Sequence, residues 1–413
     1  MRTCLVTVGD ELLSGRTVNS NAAYIGKKLA DLGAPVELTL VVGDEVAEIA
    51  AAVRHACADH DVVVITGGLG PTHDDVTLDG ISSALSLTLK ENQKVLEAIQ
   101  SRYRQLDRAV PKGVMRMARV PKGAEVLDNH WGTAPGLHMV NGRTHIFVLP
   151  GVPREMRGLL DNGVLPLLAK LPGLTPVYVR ALVTAGLPES SLSEKIADLI
   201  PAAGSPIKLA FLPGYNGVEL RLSSSVAPPD VDRLAAQISE RIGAALVGEA
   251  GTDDLLAKLA QLLTNSGSTL ATAESCTGGL LGKLLTDRAG SSDYYLGGVI
   301  AYANSAKQSF LDVPSGTLEA HGAVSAETAE AMATGARARF GATYALSITG
   351  IAGPGGGTPE KPVGLIYLGL AWPGGQTSKR LQLTKDREQN RERSAYSALD
   401  FLRRHILAQK SAK

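Results

Sequence analysis

The sequence is poor in aromatic residues and has no excess of charge of either sign. Only 4% of its 413 residues are Phe, Trp or Tyr, and 41 Lys and Arg residues balance 41 Asp and Glu residues. A chain without net charge creates no general field that attracts DNA, RNA or an anionic membrane. We therefore expect no direct binding of nucleic acid, and any nucleotide ligand must be held by local groups.

Cysteines and long apolar runs are also scarce. The three cysteines, Cys4, Cys57 and Cys276, are odd in number and far apart, which fits a reducing compartment rather than a disulfide framework. No apolar run has the length needed to cross a bilayer, and the first ten residues have a strand pattern instead of a signal-peptide pattern. These features predict a cytoplasmic protein that is not inserted in a membrane.

The length and the 44% hydrophobic content predict two or three domains, each with its own core. In residues 1–170, apolar strand patterns alternate with amphipathic helical patterns, which predicts a doubly wound α/β domain with a mostly parallel sheet. The predicted strands are 3–8, 36–42, 61–66 and 144–149. The stretch LPGLTP (171–176) interrupts regular structure and marks a domain boundary.

Residues 177–248 predict a small α+β domain. Its GYNG segment (214–217) lies between two predicted strands, whereas the GxxG loop of KH RNA-binding modules joins two helices, so a hairpin turn is favoured. The stretch 247–254 is interpreted as a linker. A third domain, of α/β class, occupies 252–413 and ends in a long helix from about 386 to 408.

The segment TLATAESCTGGLLGKLLT (269–286) passes from a strand through a turn into a helix. Backbone N–H groups at a helix start can bind an anion, and Gly278 and Gly279 allow a ligand to approach closely. The segment therefore predicts a phosphate or oxyanion pocket, although a Gly-rich helix start is also a common packing device.

A second segment, GVIAYANSAKQSFL (298–311), contains a candidate base. Tyr302 follows a predicted strand and Lys307 lies on the next helix. A serine hydroxyl needs a base to act as a nucleophile, and a desolvated lysine can lose its proton and serve. The same spacing also suits a solvated lysine and a strand-end tyrosine. A third segment, SITGIAGPGGG (347–357), offers donors after a strand or is simply a flexible loop.

Several motifs resemble, in order, the nicotinamide-nucleotide amidase domain of the CinA family over 252–408. They are AESCTGG (273–279), GSS (290–292), the Tyr302 to Lys307 spacing, GAVS (322–325) and TGIAGPGG (349–356). The resemblance implies hydrolysis of nicotinamide mononucleotide to nicotinate mononucleotide and ammonia, without a metal or other cofactor. It implies Ser275 as the nucleophile, Lys307 and Tyr302 as its proton-transfer pair, and Thr349 as the residue that positions the amide.

The remaining predicted substrate contacts of this domain are Cys276, Thr277, Gly278, Gly279, Ser292, Gly350, Gly353, Arg387 and Arg391. The two arginines share a face of the last helix and could bind the 5′-phosphate, although KDREQNRER is also typical of a solvated helix start. Cys276 is the rival nucleophile, but the two histidines of the domain, His321 and His405, are both predicted to be helical. Ala303 replaces a hydroxyl residue of the family pattern, which affects a secondary hydrogen bond.

Polar, Gly-rich loops follow three predicted strands of the first domain, at the sheet edge where such folds bind ligands. The candidate ligand contacts are Asp10, Glu11, Asn19, Asn21, Gly67, Gly68, Thr77, Gly151 and Glu155. Asp74 and Asp75 could hold a divalent cation against a phosphate. The alternative is that Asp74, Asp75 and Thr77 cap the following helix.

The motifs GDELLSG, GGLGPTHDD and PGVPREM resemble the molybdopterin-binding fold of the MogA and MoeA proteins, and more closely the N-terminal domain of CinA proteins. This resemblance implies cleavage of ADP-ribose to AMP and ribose 5-phosphate with a divalent metal ion, alone or with a monovalent cation. The residues themselves do not choose among dinucleotides, ADP-ribose and molybdopterin. The middle domain resembles the KH-like domain of CinA, and family analogy predicts a homodimer.

The leading hypothesis is a bifunctional enzyme of pyridine-nucleotide salvage. One alternative makes the first domain a molybdopterin-handling module. Another is a binding protein associated with DNA uptake or repair, which the absence of a basic stripe and of an aromatic platform argues against.

Overall fold

The computed structural model describes residues 1–174, 177–225, 228–250 and 254–411. These residues form two compact units, Met1–Tyr178 and Val179–Lys413. The predicted boundary at 171–176 and the predicted linker at 247–254 each lie partly outside the described residues. None of the helices in the described ranges combines the length and the apolarity that a membrane crossing requires.

The first unit contains a six-stranded sheet in the order β2-β1-β3-β8-β7-β6 and a separate pair, β4 and β5. Its strands are β1 (Thr3–Val8), β2 (Val36–Val42), β3 (Val62–Thr66), β4 (Leu89–Glu91), β5 (Arg119–Pro121), β6 (Glu125–Leu127), β7 (Gly136–Asn141) and β8 (Thr144–Leu149). Its helices are α1 (Asp10–Leu13), α2 (Ser20–Leu32), α3 (Val46–Asp59), α4 (Thr77–Leu85), α5 (Gln93–Gln105), α6 (Pro153–Leu159) and α7 (Leu165–Leu168).

The central strands of this sheet are buried on both faces. In β1, Cys4 and Val6 belong to one core cluster and Leu5 to another, because successive side chains of a strand point to opposite faces. Every residue of β1 and of β3 is buried, which explains their continuous apolar runs. The predicted doubly wound α/β fold is confirmed for this unit.

The sheet is mostly parallel, as predicted, with an antiparallel part at one edge. Strands β2, β1, β3 and β8 run parallel, whereas β7 and β6 pair antiparallel to their neighbours. A two-residue turn, Gly142 and Arg143, joins β7 to β8 through the Asn141–Thr144 pair. Gly142 occupies the first position of this two-residue loop with a φ of 61°, and glycine at that position is a hairpin signal, although this hairpin was not predicted.

The middle part of the second unit is a four-stranded sheet in the order β10-β11-β9-β12. Its elements are β9 (Tyr178–Thr184), α8 (Glu189–Lys195), β10 (Ile207–Gly214), β11 (Gly217–Ser224), α9 (Pro228–Ile242) and β12 (Leu246–Glu249). Gly214 pairs with Gly217 across a two-residue turn, so the predicted hairpin is confirmed. The linker interpretation was wrong for β12, whose residues pair antiparallel with β9.

The rest of the second unit is a five-stranded sheet in the order β14-β13-β15-β16-β17. Its strands are β13 (Leu270–Glu274), β14 (Tyr295–Ile300), β15 (Tyr344–Gly350), β16 (Leu365–Trp372) and β17 (Gly375–Gln382). Its helices are α10 (Leu255–Asn265), α11 (Leu280–Thr286), α12 (Asn304–Leu311), α13 (Ser315–His321), α14 (Ala326–Phe340) and α15 (Arg387–Ser411). Strands β13, β14 and β15 are parallel, and their carboxyl ends lie at one edge of the sheet.

Candidate active site

A serine and a buried lysine meet at the carboxyl end of β13. Ser275 follows this strand directly, and its N–H donates to the carbonyl of Ile348 on β15 at 2.9 Å. The Nζ atom of Lys307, on α12, donates to Ser275 Oγ at 3.1 Å. Lys307 is 1% exposed and Ser275 is 8% exposed, so the pair is almost fully removed from water.

Two backbone carbonyls orient the Lys307 ammonium group. Its Nζ donates to Ala301 O at 2.9 Å and to Tyr302 O at 3.1 Å. Burial lowers the pKa of Lys307 below its ordinary value, because a charged amine loses hydration in the interior. A neutral amine keeps two N–H bonds for these carbonyls, and its lone pair is then directed at Ser275 Oγ. The geometry suits Lys307 as a base for this hydroxyl.

The thiol of the rival nucleophile, Cys276, lies close enough to Lys307 for their charges to interact, but no hydrogen bond between the two side chains is recorded within the described residues. This thiol is 6% exposed, and burial raises its pKa to about 12, so it is neutral at ordinary pH. Of the two histidines in this part of the chain, His321 lies 3.7 Å from Glu327, and His405 packs against Trp372 with ring centroids 4.3 Å apart. Both are helical, as predicted, and neither has a recorded contact with Cys276 within the described residues.

The turn after Ser275 presents unused hydrogen-bond donors. Among the described residues, no hydrogen bond is recorded from the N–H groups of Cys276 and Thr277 to an acceptor on another residue. The hydroxyl of Thr277 is also buried without a partner in the described ranges. Paired N–H groups beside a nucleophile can stabilise the oxyanion that forms when it attacks a carbonyl.

The predicted anion pocket at the start of α11 is instead occupied by a side chain. The carboxylate of Glu274 accepts hydrogen bonds from the N–H groups of Gly279, Leu281 and Gly282 at 2.8–3.0 Å. A carboxylate already satisfies these helix-start donors, so they do not bind an incoming phosphate. Glu274 was not among the predicted site residues, although a carboxylate at a strand end that faces a helix start is a recognisable capping pattern.

Helix α15 holds the loops around the site through three side chains. Arg391 donates to Thr277 O through Nε and a terminal nitrogen, at 3.2 and 2.8 Å, and Arg387 donates to Gly353 O at 2.8 Å. Buried Asn390 donates to Ala352 O at 2.9 Å and was missed by the sequence analysis. The two arginines therefore lie near the nucleophile turn, but these contacts are to backbone carbonyls rather than to a ligand.

The first unit has a candidate site of its own, a cleft of about 270 Å³ at the carboxyl ends of β1 and β3. Most of the ligand contacts predicted for this unit line it, namely Glu11, Asn19, Asn21, Gly67, Gly68, Asp74, Asp75 and Gly151. Asn21 donates to Gly151 O at 2.8 Å, and its Oδ1 atom is buried without a partner in the described residues. Asn19 caps α2 through Ala22 N–H.

The glycines of this cleft bring the strand-end loops together. A Cβ atom on Gly67 would lie 2.1 Å from the carbonyl oxygen of Val8, and one on Gly68 would lie 2.3 Å from Thr77 Oγ1. Both glycines have positive φ angles, 110° and 60°. Thr77 does not line the cleft, because its buried hydroxyl donates to Gly67 O at 2.9 Å.

Matches to three family models cover nearly the whole chain. They are "Probable molybdopterin binding domain" over residues 4–170, "Damage-inducible protein CinA KH domain" over 179–250 and "CinA C-terminal domain" over 252–406. A "CinA-like protein" of Salinibacter ruber is 43% identical over 411 residues, which cover 98% of this chain and 100% of the relative. The chain belongs to the CinA family. This confirms the recognised family and the three-domain fold class.

A second curated relative agrees with this assignment. A CinA-like protein of Gemmatimonas aurantiaca is 43% identical over 409 residues, covering 97% of this chain and 95% of the relative. A crystal structure of "the protein CinA with unknown function" from Thermoplasma acidophilum is 40% identical and covers 39% of this chain and 94% of its own, with a TM-score of 0.37. Membership of the CinA family indicates a hydrolase.

Some residues that the CinA resemblance implied are not brought to Ser275. The side chain of Tyr302 is 62% exposed, and only its carbonyl contacts Lys307. Ser292 lies exposed in a short 3-10 turn, and no recorded contact in the described ranges joins it to the nucleophile. Thr349 is buried close by, but its hydroxyl donates to Ala323 O at 2.7 Å. Gly350 pairs with Ile366 in the sheet, where a Cβ atom would clash with Leu365 O.

The two aspartates predicted to bind a metal ion in the first unit have different surroundings. The Asp75 carboxylate accepts hydrogen bonds from Gly70 N–H at 2.7 Å and Thr72 N–H at 2.8 Å, so it braces its own loop. Asp74 is exposed, and a hydrogen bond from Thr72 lowers its pKa. The capping alternative is wrong, because α4 has no side-chain cap. Metal binding by Asp74 and Asp75 stays a prediction. No group of three or more His, Cys, Asp or Glu side chains in the described ranges is arranged to hold a metal ion.

A different carboxylate, Asp44, completes the acidic side of the cleft. Burial raises the pKa of Asp44, as does repulsion from Asp10, Glu11 and Asp74. Asp10 does not line the cleft but exchanges hydrogen bonds with Asp44, at 2.9 and 3.3 Å. Asp44 was not among the predicted site residues, although the tripeptide Gly-Asp-Glu follows both β1 and β2.

A second cavity, of about 410 Å³, adjoins the acidic cleft. It shares Gly68, Asp75 and Gly151 with the cleft and contains Glu155, which was predicted to lie at the cleft itself. The Glu155 carboxylate accepts a hydrogen bond from Asn129 at 2.6 Å. Apolar and aromatic side chains, among them Tyr103, line much of the remaining wall.

Proposed function

We propose that residues 254–411 hydrolyse the amide of a nicotinamide nucleotide, with Ser275 as nucleophile and Lys307 as its base. The observation that carries this proposal is the 3.1 Å contact between Lys307 Nζ and Ser275 Oγ, in a setting where burial lowers the pKa of the amine. A Ser–Lys pair without a histidine suits the attack of a hydroxyl on an amide carbonyl.

The reaction follows from the placement of these groups. Neutral Lys307 takes the proton of Ser275 while Oγ attacks the amide carbon, and the N–H groups of Cys276 and Thr277 stabilise the oxyanion. Lys307 returns the proton to the leaving nitrogen, and the C–N bond breaks to release ammonia. Water then attacks the ester of Ser275 by the same route, which releases the carboxylate product and restores the hydroxyl. No step needs a metal.

Nicotinamide mononucleotide is the proposed substrate, as the family resemblance suggests. Arg387 and Arg391 have terminal N–H groups beyond those bound to Gly353 and Thr277, and these could receive the 5′-phosphate close to the nucleophile turn. We retain Tyr302 and Thr349 as proposed participants, Tyr302 in proton transfer and Thr349 in amide positioning. Cytoplasmic location and a homodimer also stay predictions.

The test measures ammonia release from nicotinamide mononucleotide by the purified chain, with and without EDTA. Ser275→Ala should abolish turnover, because the attacking oxygen is lost. Cys276→Ala is the matched control, since it removes the neighbouring thiol but keeps the backbone N–H, and its kcat should stay within about threefold of the wild type. EDTA should not change the turnover of the wild type or of the Cys276→Ala variant.

Two outcomes would contradict this assignment. Turnover that survives in Ser275→Ala but disappears in Cys276→Ala would make the thiol the nucleophile. A folded wild-type chain that releases no ammonia from the mononucleotide would remove the amidase proposal. Thermal unfolding of all variants, measured in parallel, separates a loss of chemistry from a loss of fold.

For the first unit we propose binding and cleavage of a pyrophosphate such as ADP-ribose. The supporting observation is the pair of adjoining cavities, one polar and acidic and one more apolar, which share Gly68, Asp75 and Gly151. Mg²⁺ is usually bound by one or two carboxylates together with substrate phosphates. The cleft carboxylates fit an ion that arrives with the ligand, and Asp44 and Asp74 would hold it. The ion would neutralise phosphate charge beside these acidic groups.

This second proposal is tested with ADP-ribose and MgCl₂. AMP release should require the metal and should be lost in the double variant Asp44→Asn and Asp74→Asn, while ammonia release by the second unit is retained.

Protection against thermal unfolding by molybdopterin, but not by ADP-ribose with Mg²⁺, would favour the molybdopterin alternative. A salt-dependent mobility shift with single-stranded DNA would support the nucleic-acid alternative.

A further inference from the structure

The carboxylate of Glu274, the residue before the proposed nucleophile, is buried and has three backbone partners. It is 2% exposed, and its Oε2 atom accepts from Gly279 and Leu281 at 3.0 Å, while Oε1 accepts from Gly282 at 2.8 Å. The first N–H groups of a helix have no partner within that helix. Here a side chain of the preceding strand supplies the acceptors.

These bonds fix both ends of the turn that contains Ser275. At its start, Ser275 N–H is held by Ile348 O, and at its end Gly279 N–H is held by Glu274. Between them, Gly278 N–H donates to Ser275 O at 3.2 Å. Gly278 and Gly279 have positive φ angles, 59° and 96°, which allow this tight path. The orientation of the Cys276 and Thr277 N–H groups is therefore imposed from both sides.

We infer that Glu274 is a positioning residue for the amidase reaction, which holds the oxyanion donors of Cys276 and Thr277 in register with Ser275 Oγ. This inference rests on the proposed function of the domain. Glu274 satisfies the helix start and is buried, so it acts through the turn rather than on the substrate. Its removal should reduce stabilisation of the transition state more than binding of the ground state.

The test compares Glu274→Gln and Glu274→Ala. Gln keeps one oxygen acceptor, whereas Ala keeps none, so kcat should fall by about 10-fold and about 100-fold respectively, the range expected when a buried acceptor is lost. KM for nicotinamide mononucleotide should stay within about twofold. A positioning role predicts that the Gln variant, which keeps one acceptor, is more active than the Ala variant.

A matched control is Asp254→Ala. Asp254 also caps a helix with its carboxylate, since it accepts from Ala257 N–H at the start of α10. Its removal should lower thermal stability without lowering kcat. If the Glu274 variants lose only stability, as this control does, or change only in KM, the positioning role is overturned.

A second readout separates this inference from the proposed function. A fluorophosphonate probe forms a P–O bond with Ser275 Oγ and loses fluoride, while the hydroxyl proton passes to Lys307. Its phosphoryl oxygen needs the same donors as the oxyanion, so the Glu274 variants should label more slowly, by factors similar to those in kcat. If the wild-type chain is labelled but releases no ammonia, nicotinamide mononucleotide is not its substrate, and the labelling rates of the Glu274 variants still test the positioning role. If the wild-type chain is neither labelled nor active, both the proposed function and the positioning role are refuted.

Discussion

Lys307 shows how burial changes the chemistry of one residue. The sequence left open whether this lysine is solvated, and the structure places it at 1% exposure against Ser275. Ser275 and Cys276 are neighbours in sequence, yet within the described residues only the hydroxyl has a recorded hydrogen bond with the Lys307 amine. Which of the two side chains has a base beside it depends on the position of a lysine from another element.

The pH dependence of activity tests this role. Lys307 must be neutral to act as a base, so kcat/KM should rise with pH through its lowered pKa, and Lys307→Met should lose about 100-fold or more in kcat. A profile that is flat below the ordinary lysine pKa of 10.5 would refute the role.

The stability of the chain should also depend on the protonation of Lys307. The pKa of this lysine is lower in the folded chain than in the unfolded chain, so between the lowered value and 10.5 the unfolded chain binds more protons. The free energy of unfolding therefore increases as pH rises through that range. The free energy of unfolding of the wild type should therefore rise relative to Lys307→Met as the pH increases from the lowered pKa of Lys307 towards 10.5. Urea titrations of both proteins measure it, and a difference that shrinks with pH would contradict the shift.

Helix α12 lacks a side-chain cap at its N-terminus, and this should lower the stability of the chain. Its N-cap residue is Ala303, in an extended conformation and without a side-chain hydrogen bond, at the position where the family pattern has a hydroxyl residue. Ala303→Ser should stabilise the chain by about 1 kcal/mol, because its hydroxyl can accept an N–H of the first turn. Ala306→Ser, inside the same helix, is the control and should destabilise by about 0.5 kcal/mol. Equal effects in urea unfolding would contradict the capping explanation.

At the scale of the whole molecule, a buried ion-pair network joins the last helix to the middle domain within the second unit. Asp400, 2% exposed, pairs with Arg403 and Arg404. Arg403 donates to Leu246 O at 3.0 Å and Arg404 to Ala185 O at 2.7 Å. The middle domain and the C-terminal domain are therefore linked by hydrogen bonds that depend on one carboxylate.

Removal of that carboxylate should be strongly destabilising. Asp400→Ala leaves two arginines without their anion, one of them fully buried, and should cost about 3–5 kcal/mol. Asp230→Ala removes an exposed pair with Arg233 and should cost about 1 kcal/mol or less. Calorimetric unfolding of both variants checks the contrast. Similar midpoints would show that the buried network adds little.

The sequence by itself determined the kinds of element, the family and the segments that carry the chemistry. Strands such as β1 and β3 are apolar because both faces are buried, and that pattern is local. Ser275 and the glycines after it were also visible, because turns need particular residues at particular places. The role of Ser275 as nucleophile stays a prediction.

Only the tertiary structure decided which groups are already satisfied. Glu274 occupies the helix start that had been expected to bind an anion, Asp75 braces its own loop, and Asp44 joins Asp74 and Asp75 in the acidic wall of the cleft. Tyr302 likewise has an exposed ring and contributes a carbonyl. Hydrogen-bond partners and burial arise from distances between segments far apart in the chain, and residue spacing does not encode those distances.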